Sequence, residues 1–236
     1  MVKHRVAIIP ARGGSKRIPK KNIISFMGKP MIAWTIEAAI NSNLFDLVLV
    51  STDSQEIANI AVKYGAKVPF LRNDHADDSS TISEATITAL KQLKNYNNKD
   101  YKTVVQLMAN CPLRSTESII EQVNVYENLS TQKSLLSGFN YGMFNPWWAH
   151  FENKNQKFEK LLKNFDATTR SQDLPELICP SGATWISDVH KLKTCGTFYS
   201  EGYKFHKTSW LNAVDIDDLD DLQLAKAAYY ILNEKV

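Results

Sequence analysis

Apolar residues follow two rhythms along this chain. Val6-Ala7-Ile8-Ile9 is an unbroken apolar run, and Leu47-Val48-Leu49-Val50 is a second. Such runs suit strands buried on both faces, as in a parallel sheet. Val104 to Met108 reads as a further strand, and Val68-Pro69-Phe70-Leu71 as a short one. Between them the apolar positions recur with the helical period. Pro30 stands where a helix can begin, and Ile32, Ile36, Ala39 and Ile40 follow at i, i+4, i+7 and i+8. Ile57, Ile60, Ala61 and Tyr64 mark a second helix, closed by Gly65. Thr86, Ala89, Leu90 and Leu93 mark a third; Ile119, Val123 and Tyr126 mark a fourth, capped by Ser115 or Thr116. This alternation, which runs through about residue 130, predicts an α/β fold: a doubly wound, mostly parallel sheet with helices on both faces.

The rhythm then changes. Phe139 to Phe165 carries Tyr141, Phe144, Trp147, Trp148, Phe151 and Phe158 with no helical period. It reads as an insertion of strands or loops over one edge, extending to about residue 175 within a single domain of residues 1–236. Its apolar surface is large for a lone chain and predicts a homodimer. The earlier pattern returns at Ala183 to Ile186 and at Ala213 to Ile216, and a last helix carries Leu222, Ala225, Tyr229 and Leu232.

Composition narrows the class. With 44% hydrophobic and 22% charged residues in 236, the chain can build a large core. A net charge of +3 is too mild to point to nucleic acid. No run of about 18 uncharged apolar residues exists, so no membrane helix is expected, and the first apolar run is too short for a secretory leader. The three cysteines and five histidines lack metal-type spacing, which fits a reduced, cytoplasmic protein.

The charges are unevenly placed. Five bases (Arg12, Lys16, Arg17, Lys20 and Lys21) crowd one loop with no acid, and five Asp lie between Asp215 and Asp221 with no base. A basic loop can neutralise phosphates and an Asp cluster can hold Mg²⁺, although either can be plain solvated surface. In the loop Ala11 to Asn22, Gly13 and Gly14 permit close backbone approach and positive φ, so successive amides can form an anion-binding nest. Arg12 can fork onto a phosphate and Lys16 supplies a compact charge. The loop matches neither the Walker A nor the dinucleotide glycine pattern. It follows the first strand, and Ser51–Asp53 and Ala109–Arg114 follow the others, where ligands of such sheets bind.

Ile9 to Asn22 with Gly28-Lys29-Pro30, Phe45-Asp46 through Asp53, Pro112-Leu113-Arg114, Arg170-Ser171-Gln172-Asp173-Leu174-Pro175 and Asp215-Ile216-Asp217 together resemble the acylneuraminate cytidylyltransferases over nearly the whole chain. The resemblance implies a nucleotidyltransferase of cell-surface glycan biosynthesis. It takes CTP and a nine-carbon 2-keto sugar acid, of sialic, legionaminic or pseudaminic type, and releases the CMP-sugar and pyrophosphate with Mg²⁺. It implies that Arg12, Gly13, Gly14, Ser15, Lys16, Asn22, Arg72 and Thr81 meet the nucleotide. Asp215 and Asp217 would take the metal, and Met108, Asn110, Arg170 and Gln172 the sugar, the last two from a neighbouring subunit. Met108 stands where the family has a Gln associated with the sugar, so either a less polar sugar is expected or Gln106 or Asn110 serves instead; the alternative is that Met108 is a core residue at the strand end. Other readings stay open: Arg170 paired locally with Asp173, Arg72 with Asp74, and Asp215 capping the last helix, for which Asp217 or Asp218 is the better candidate. Cytidylyl transfer to Kdo, or nucleotide binding without catalysis, are the competing functions.

Overall fold

A computed structural model describes residues 4–75, 80–129, 133–163 and 169–234. In chain order these form β1 (Arg5–Pro10), β2 (Ser25–Phe26), β3 (Lys29–Pro30), α1 (Met31–Asn41), β4 (Leu47–Ser51), α2 (Gln55–Lys63), α3 (Ile82–Asn97), β5 (Thr103–Gln106) and α4 (Thr116–Glu127). There follow β6 (Leu135–Asn140), β7 (His150–Glu152), β8 (Phe158–Lys160), β9 (Ile178–Asp188), α5 (Val189–Cys195), β10 (Lys204–Lys207), α6 (Trp210–Ala213) and α7 (Leu219–Asn233).

The central sheet runs β10-β6-β9-β5-β1-β4. β1 pairs parallel with β4 and β5, and β10 with β6; β9 runs antiparallel to both its neighbours. The continuous apolar runs are explained by helices on both faces. Ala7, Ile9, Val50 and Val105 pack under Ile32 and Ile36 of α1, Ile57 of α2 and Ile119 of α4. Val6, Ile8, Leu49 and Val104 pack under Ala89 and Leu93 of α3 and Leu192 of α5. A third cluster seats Ala225 and Ala228 of α7 on Phe26, Met31 and Ile216.

The expected helix starts hold. Pro30 precedes α1, Ser115 caps α4 with its side chain accepting from the Ser118 amide, and Gly65 takes φ +95° just past α2. Two strand expectations fail. Val68 to Leu71 is not a strand; only Lys67 bridges to Leu49, because Pro69 has no N–H to extend a ladder. Ala213 to Ile216 is the end of α6 and an extended connection, not a strand. The last strand of the sheet is β10, at its edge beside β6. The aromatic insertion carries the β7–β8 hairpin; Phe165, its expected end, lies outside the described residues.

Candidate active site

Three neighbouring strands, β4, β1 and β5, lie side by side, and the segments after β1 and β5, with Arg72, the start of α3 and Asp217, line one cavity of about 430 Å³. After β1, the Ala11 amide donates to Ser51 O at 2.9 Å, continuing the pairing one residue past the strand. The loop then turns away, and it is held from below. Asp53, after β4, accepts from the Gly13 amide at 2.8 Å, and the buried Asn22 donates its side-chain amide to Arg12 O at 3.0 Å. Neither Gly13 nor Gly14 takes a left-handed φ, contrary to expectation. Space favours Gly13 instead, since a Cβ there would lie 3.1 Å from Ser54 Cβ, a tight contact. The Ser15 amide donates to Gly13 O at 3.1 Å. The expected nest is therefore partly used up, because two of its amides already have partners. Gly14 faces open space, so a ligand can approach its backbone.

The loop presents Arg12, Ser15 and Lys16 to the cavity, where Arg72 meets them. Arg72 is buried and does not pair with Asp74. Its Nη1 donates to Ser51 O at 2.9 Å and to Ser51 Oγ at 3.3 Å. Its Nε has no partner among the described residues. Burial pulls its pKa down, opposed by Asp53 and reinforced by Arg12. A desolvated guanidinium beside other bases attracts a multiply charged anion strongly. Thr81 also lines the cavity, but as the cap of α3. Its hydroxyl accepts from the Glu84 amide at 3.2 Å and donates to Glu84 Oε2 at 2.9 Å, so the expected nucleotide contact would have to compete with that box.

After β5 the chain places Met108 and Asn110 on the cavity wall. Arg114, fully buried, donates to Ala183 O, to Thr35 Oγ1 at 2.7 Å and to Met108 O at 3.3 Å. Burial lowers its pKa to about 10, which leaves it charged at neutral pH. It fixes the turn that carries Met108 and Asn110. Asn110 then fixes the Asp run. Its carbonyl accepts from the Ile216 amide at 3.0 Å, its side-chain amide donates to Ile216 O at 3.1 Å, and the same amide reaches Asp215 Oδ1 and, at 3.3 Å, Asp217 Oδ1.

The two carboxylates thus converge on one amide. Burial, then the Asp217 charge, raises the Asp215 carboxyl to about 6. Burial pushes Asp217 the same way, but Lys21 and Arg17 outweigh it and hold its pKa below the usual carboxylate range. Lys21 Nζ lies 2.6 Å and Arg17 Nη2 2.8 Å from Asp217. The basic loop and the Asp run, nearly 200 residues apart in sequence, therefore meet. Asp218, not Asp215, caps α7, accepting from the Asp220 and Asp221 amides at 3.0 Å each.

The cavity brings together Arg12, Ser15, Lys16, Asn22, Arg72, Thr81, Met108, Asn110 and Asp217. Gly13, Gly14 and Asp215 are not among its lining residues, although each is next in the chain to, or hydrogen-bonded with, the segments that are. Arg170 and Gln172 are not brought in: both are exposed, and Arg170 Nε pairs locally with Asp173 at 2.9 Å. Lys21, Arg17 and Arg114 were visible as charges or motif members, yet only the packing shows what each one holds. Cys111 is no nucleophile, since burial and then Asp215 raise its thiol well above the ordinary value.

The sequence matches the family described as Cytidylyltransferase over residues 6–188. The chain belongs to the cytidylyltransferase family. It is 35% identical over 237 residues to the pseudaminic acid cytidylyltransferase of Campylobacter jejuni subsp. jejuni serotype O:23/36, covering 97% of each chain. It is 32% identical to the CMP-N,N'-diacetyllegionaminic acid synthase of Legionella pneumophila subsp. pneumophila, covering 94% of each. The N-acylneuraminate cytidylyltransferase of Escherichia coli O18:K1:H7 is also 32% identical, over 93% of this chain and 51% of that protein. Among solved structures, a CMP:2-keto-3-deoxy-manno-octonic acid synthetase complexed with CTP superposes with a TM-score of 0.69 at 16% identity, covering 97% of this chain and 99% of that one, a likeness of fold. The cytidylyltransferase is thus a nucleotidyltransferase enzyme of the resembled family. No described helix is long and apolar enough to cross a membrane.

Proposed function

We propose that this cytidylyltransferase activates a nine-carbon 2-keto sugar acid with CTP, giving the CMP-sugar and pyrophosphate. The observation that carries the reading is the meeting of a glycine-and-base loop, a buried Arg72 and two converging carboxylates at the ends of three adjacent strands. The full-length relatives named for pseudaminic and legionaminic acids support the sugar class. Arg12, Lys16 and Arg72 neutralise the triphosphate, and the Gly14 backbone lets it lie close. The sugar's anomeric oxygen attacks the α-phosphorus; the bond from that phosphorus to the β-phosphate oxygen breaks, pyrophosphate departs, and the hydroxyl proton is released. Holding oxygen and phosphorus in line removes much of the barrier, and the preorganised cations stabilise the charge that moves onto the leaving group.

The residues fit a hard divalent cation. Among the described residues no group of three or more His, Cys, Asp or Glu forms a complete site. However, Mg²⁺ is commonly held by one or two carboxylates with substrate phosphates filling the shell. Asp215 and Asp217 would supply the two, and Lys21 and Arg17, which now neutralise Asp217, face the same cavity. When bound, the cation draws charge from the phosphate oxygens. Arg170 and Gln172 would complete the sugar site of a neighbouring subunit in a homodimer. The enzyme would work in the cytoplasm, where CTP is available; its three cysteines are unpaired, as that compartment favours.

The test is pyrophosphate release from CTP and Mg²⁺ with a panel of sugar acids. Turnover is expected with nonulosonates and with CTP above UTP, ATP or GTP. Turnover of Kdo alone, or equal use of UTP, overturns the reading. Asp215→Asn and Asp217→Asn should each shift the Mg²⁺ titration of activity; an unmoved titration removes the metal assignment.

A further inference from the structure

One peptide unit of the basic loop is held on both sides. The Arg12 carbonyl accepts from the side-chain amide of the buried Asn22 at 3.0 Å, and the Gly13 N–H, in the same unit, donates to Asp53 Oδ1 at 2.8 Å. The carbonyl and N–H of a trans peptide point opposite ways from one rigid plane, so the two bonds together fix its tilt. That tilt sets ψ of Arg12 and φ of Gly13, and Arg12 lines the cavity. A glycine has no Cβ to limit its own φ, so the hold has to come from outside the loop. Residues 51–54, which supply it, also seat Arg72. Ser51 O and Oγ accept from Arg72 Nη1, and Thr52 O accepts from the Arg72 amide at 2.7 Å. One short turn therefore carries both Arg12 and Arg72. Asp53 itself is exposed and is not one of the residues lining the cavity.

We propose that Asp53 is a positioning residue for the nucleotide: by accepting from the Gly13 amide it fixes the Arg12–Gly13 peptide and so aims the Arg12 guanidinium at the triphosphate. Asn22 holds one side of the unit, and about that single bond the plane can rock. With Asp53 in place the guanidinium leaves the loop in one direction. Without it the fork is presented over a range of directions, and a planar group that must meet phosphate oxygens loses its preorganisation. The inference rests on the triphosphate site proposed above and adds what sets the geometry of that site.

The experiment measures CTP affinity by calorimetry at fixed Mg²⁺, together with the KM for the sugar acid at saturating CTP. Arg12→Ala comes first: unchanged CTP affinity there removes the triphosphate site, and this inference with it. With Arg12 established, Asp53→Ala should weaken CTP binding by about 10-fold, the scale of a lost hydrogen bond to a charged acceptor, and leave the KM for the sugar acid within about twofold. Asp53→Asn keeps an acceptor of the same reach and removes the charge that Arg72 also feels. It should restore CTP affinity to within about threefold of wild type, since the bond and not the charge does the positioning. Ser54→Ala removes the neighbouring cap of α2, which accepts from the Ile57 amide. It should lower the melting temperature without moving CTP affinity. Wild-type affinity in Asp53→Ala, an Asn variant as weak as the Ala variant, an equal rise in the KM for the sugar acid, or an equal loss in Ser54→Ala each overturns the proposal. Should Asp53→Ala fail to fold, Asp53→Ser, too short to reach the Gly13 amide, takes its place in the same comparison.

Discussion

Asp217 is held by two cations, whereas Asp215 hydrogen-bonds to a neutral amide, and that difference separates what the two adjacent carboxylates do. An acid whose folded pKa lies above its unfolded value contributes stability only while protonated. For Asp215 that contribution is complete below the ordinary value of 3.8 and is lost as the pH rises through about 6. At pH 7 the ionised Asp215 is therefore a burden to the nucleotide-free fold. Asp215→Asn should raise the melting temperature at pH 7, with the gap closing towards pH 4, while activity falls. Equal melting at pH 7 would mean that the carboxylate is better solvated than its burial implies. The cavity bases make the complementary case. Lys16→Ala and Arg12→Ala should each lower kcat/KM by roughly 10²–10³ with unchanged circular dichroism, since one preorganised contact to a developing anion is worth about 3–4 kcal/mol. Near wild-type activity in either variant would remove that residue from the phosphate site.

At the scale of elements, the site depends on β9 lying against β5. Met108 donates its amide to Gly182 O at 3.3 Å, and Arg114 binds the next carbonyl, Ala183 O. Glycine at 182 leaves the room that the Met108 thioether fills, since a Cβ there would overlap the sulfur unless the thioether moved. Gly182→Ala should destabilise the protein by about 1–3 kcal/mol through overpacking. In a Met108→Ala background, where the thioether is absent, most of that loss should vanish, and denaturant unfolding of the four members of the cycle measures the coupling. Additive losses would show that the strand, not the thioether, sets the requirement. The same elements show what pattern reading can reach. Ile32, Ile36 and Ala39 lie on the buried side of α1 because their spacing matches the helical repeat, and Val6 to Ile9 are all buried because both sheet faces are covered. β10, Lys204–Lys207, escapes such a reading: it is a four-residue edge strand with Lys at both ends.

For the whole molecule, the open question of surface is the aromatic insertion. Phe144 is 80% and Phe158 74% exposed, with Trp148 and Phe151 also exposed around the β7–β8 hairpin. Apolar area of this kind calls for a cover. The protein should run as a dimer in light scattering at micromolar concentration, and Phe144→Ser with Phe158→Ser should shift it to monomer. If Arg170 and Gln172 act across that interface, the monomer should lose sugar affinity while keeping CTP affinity. A wild-type monomer would place both residues outside the site.

The linear order of residues determined what depends on near neighbours. The helical and strand repeats, the Pro30 and Ser115 helix starts, and the basic glycine loop directly after a buried strand are all local patterns, so the site's position at the strand ends was legible. The tertiary structure decided what depends on distant pairing. It set the reversed direction of β9, brought Arg17 and Lys21 to an Asp about 200 residues away, gave the helix cap to Asp218 instead of Asp215, and left the Gln106 amide without a partner among the described residues. A residue's type and spacing say which face it turns inward. Which group waits there depends on register and packing between segments far apart in the chain, and no local pattern encodes that.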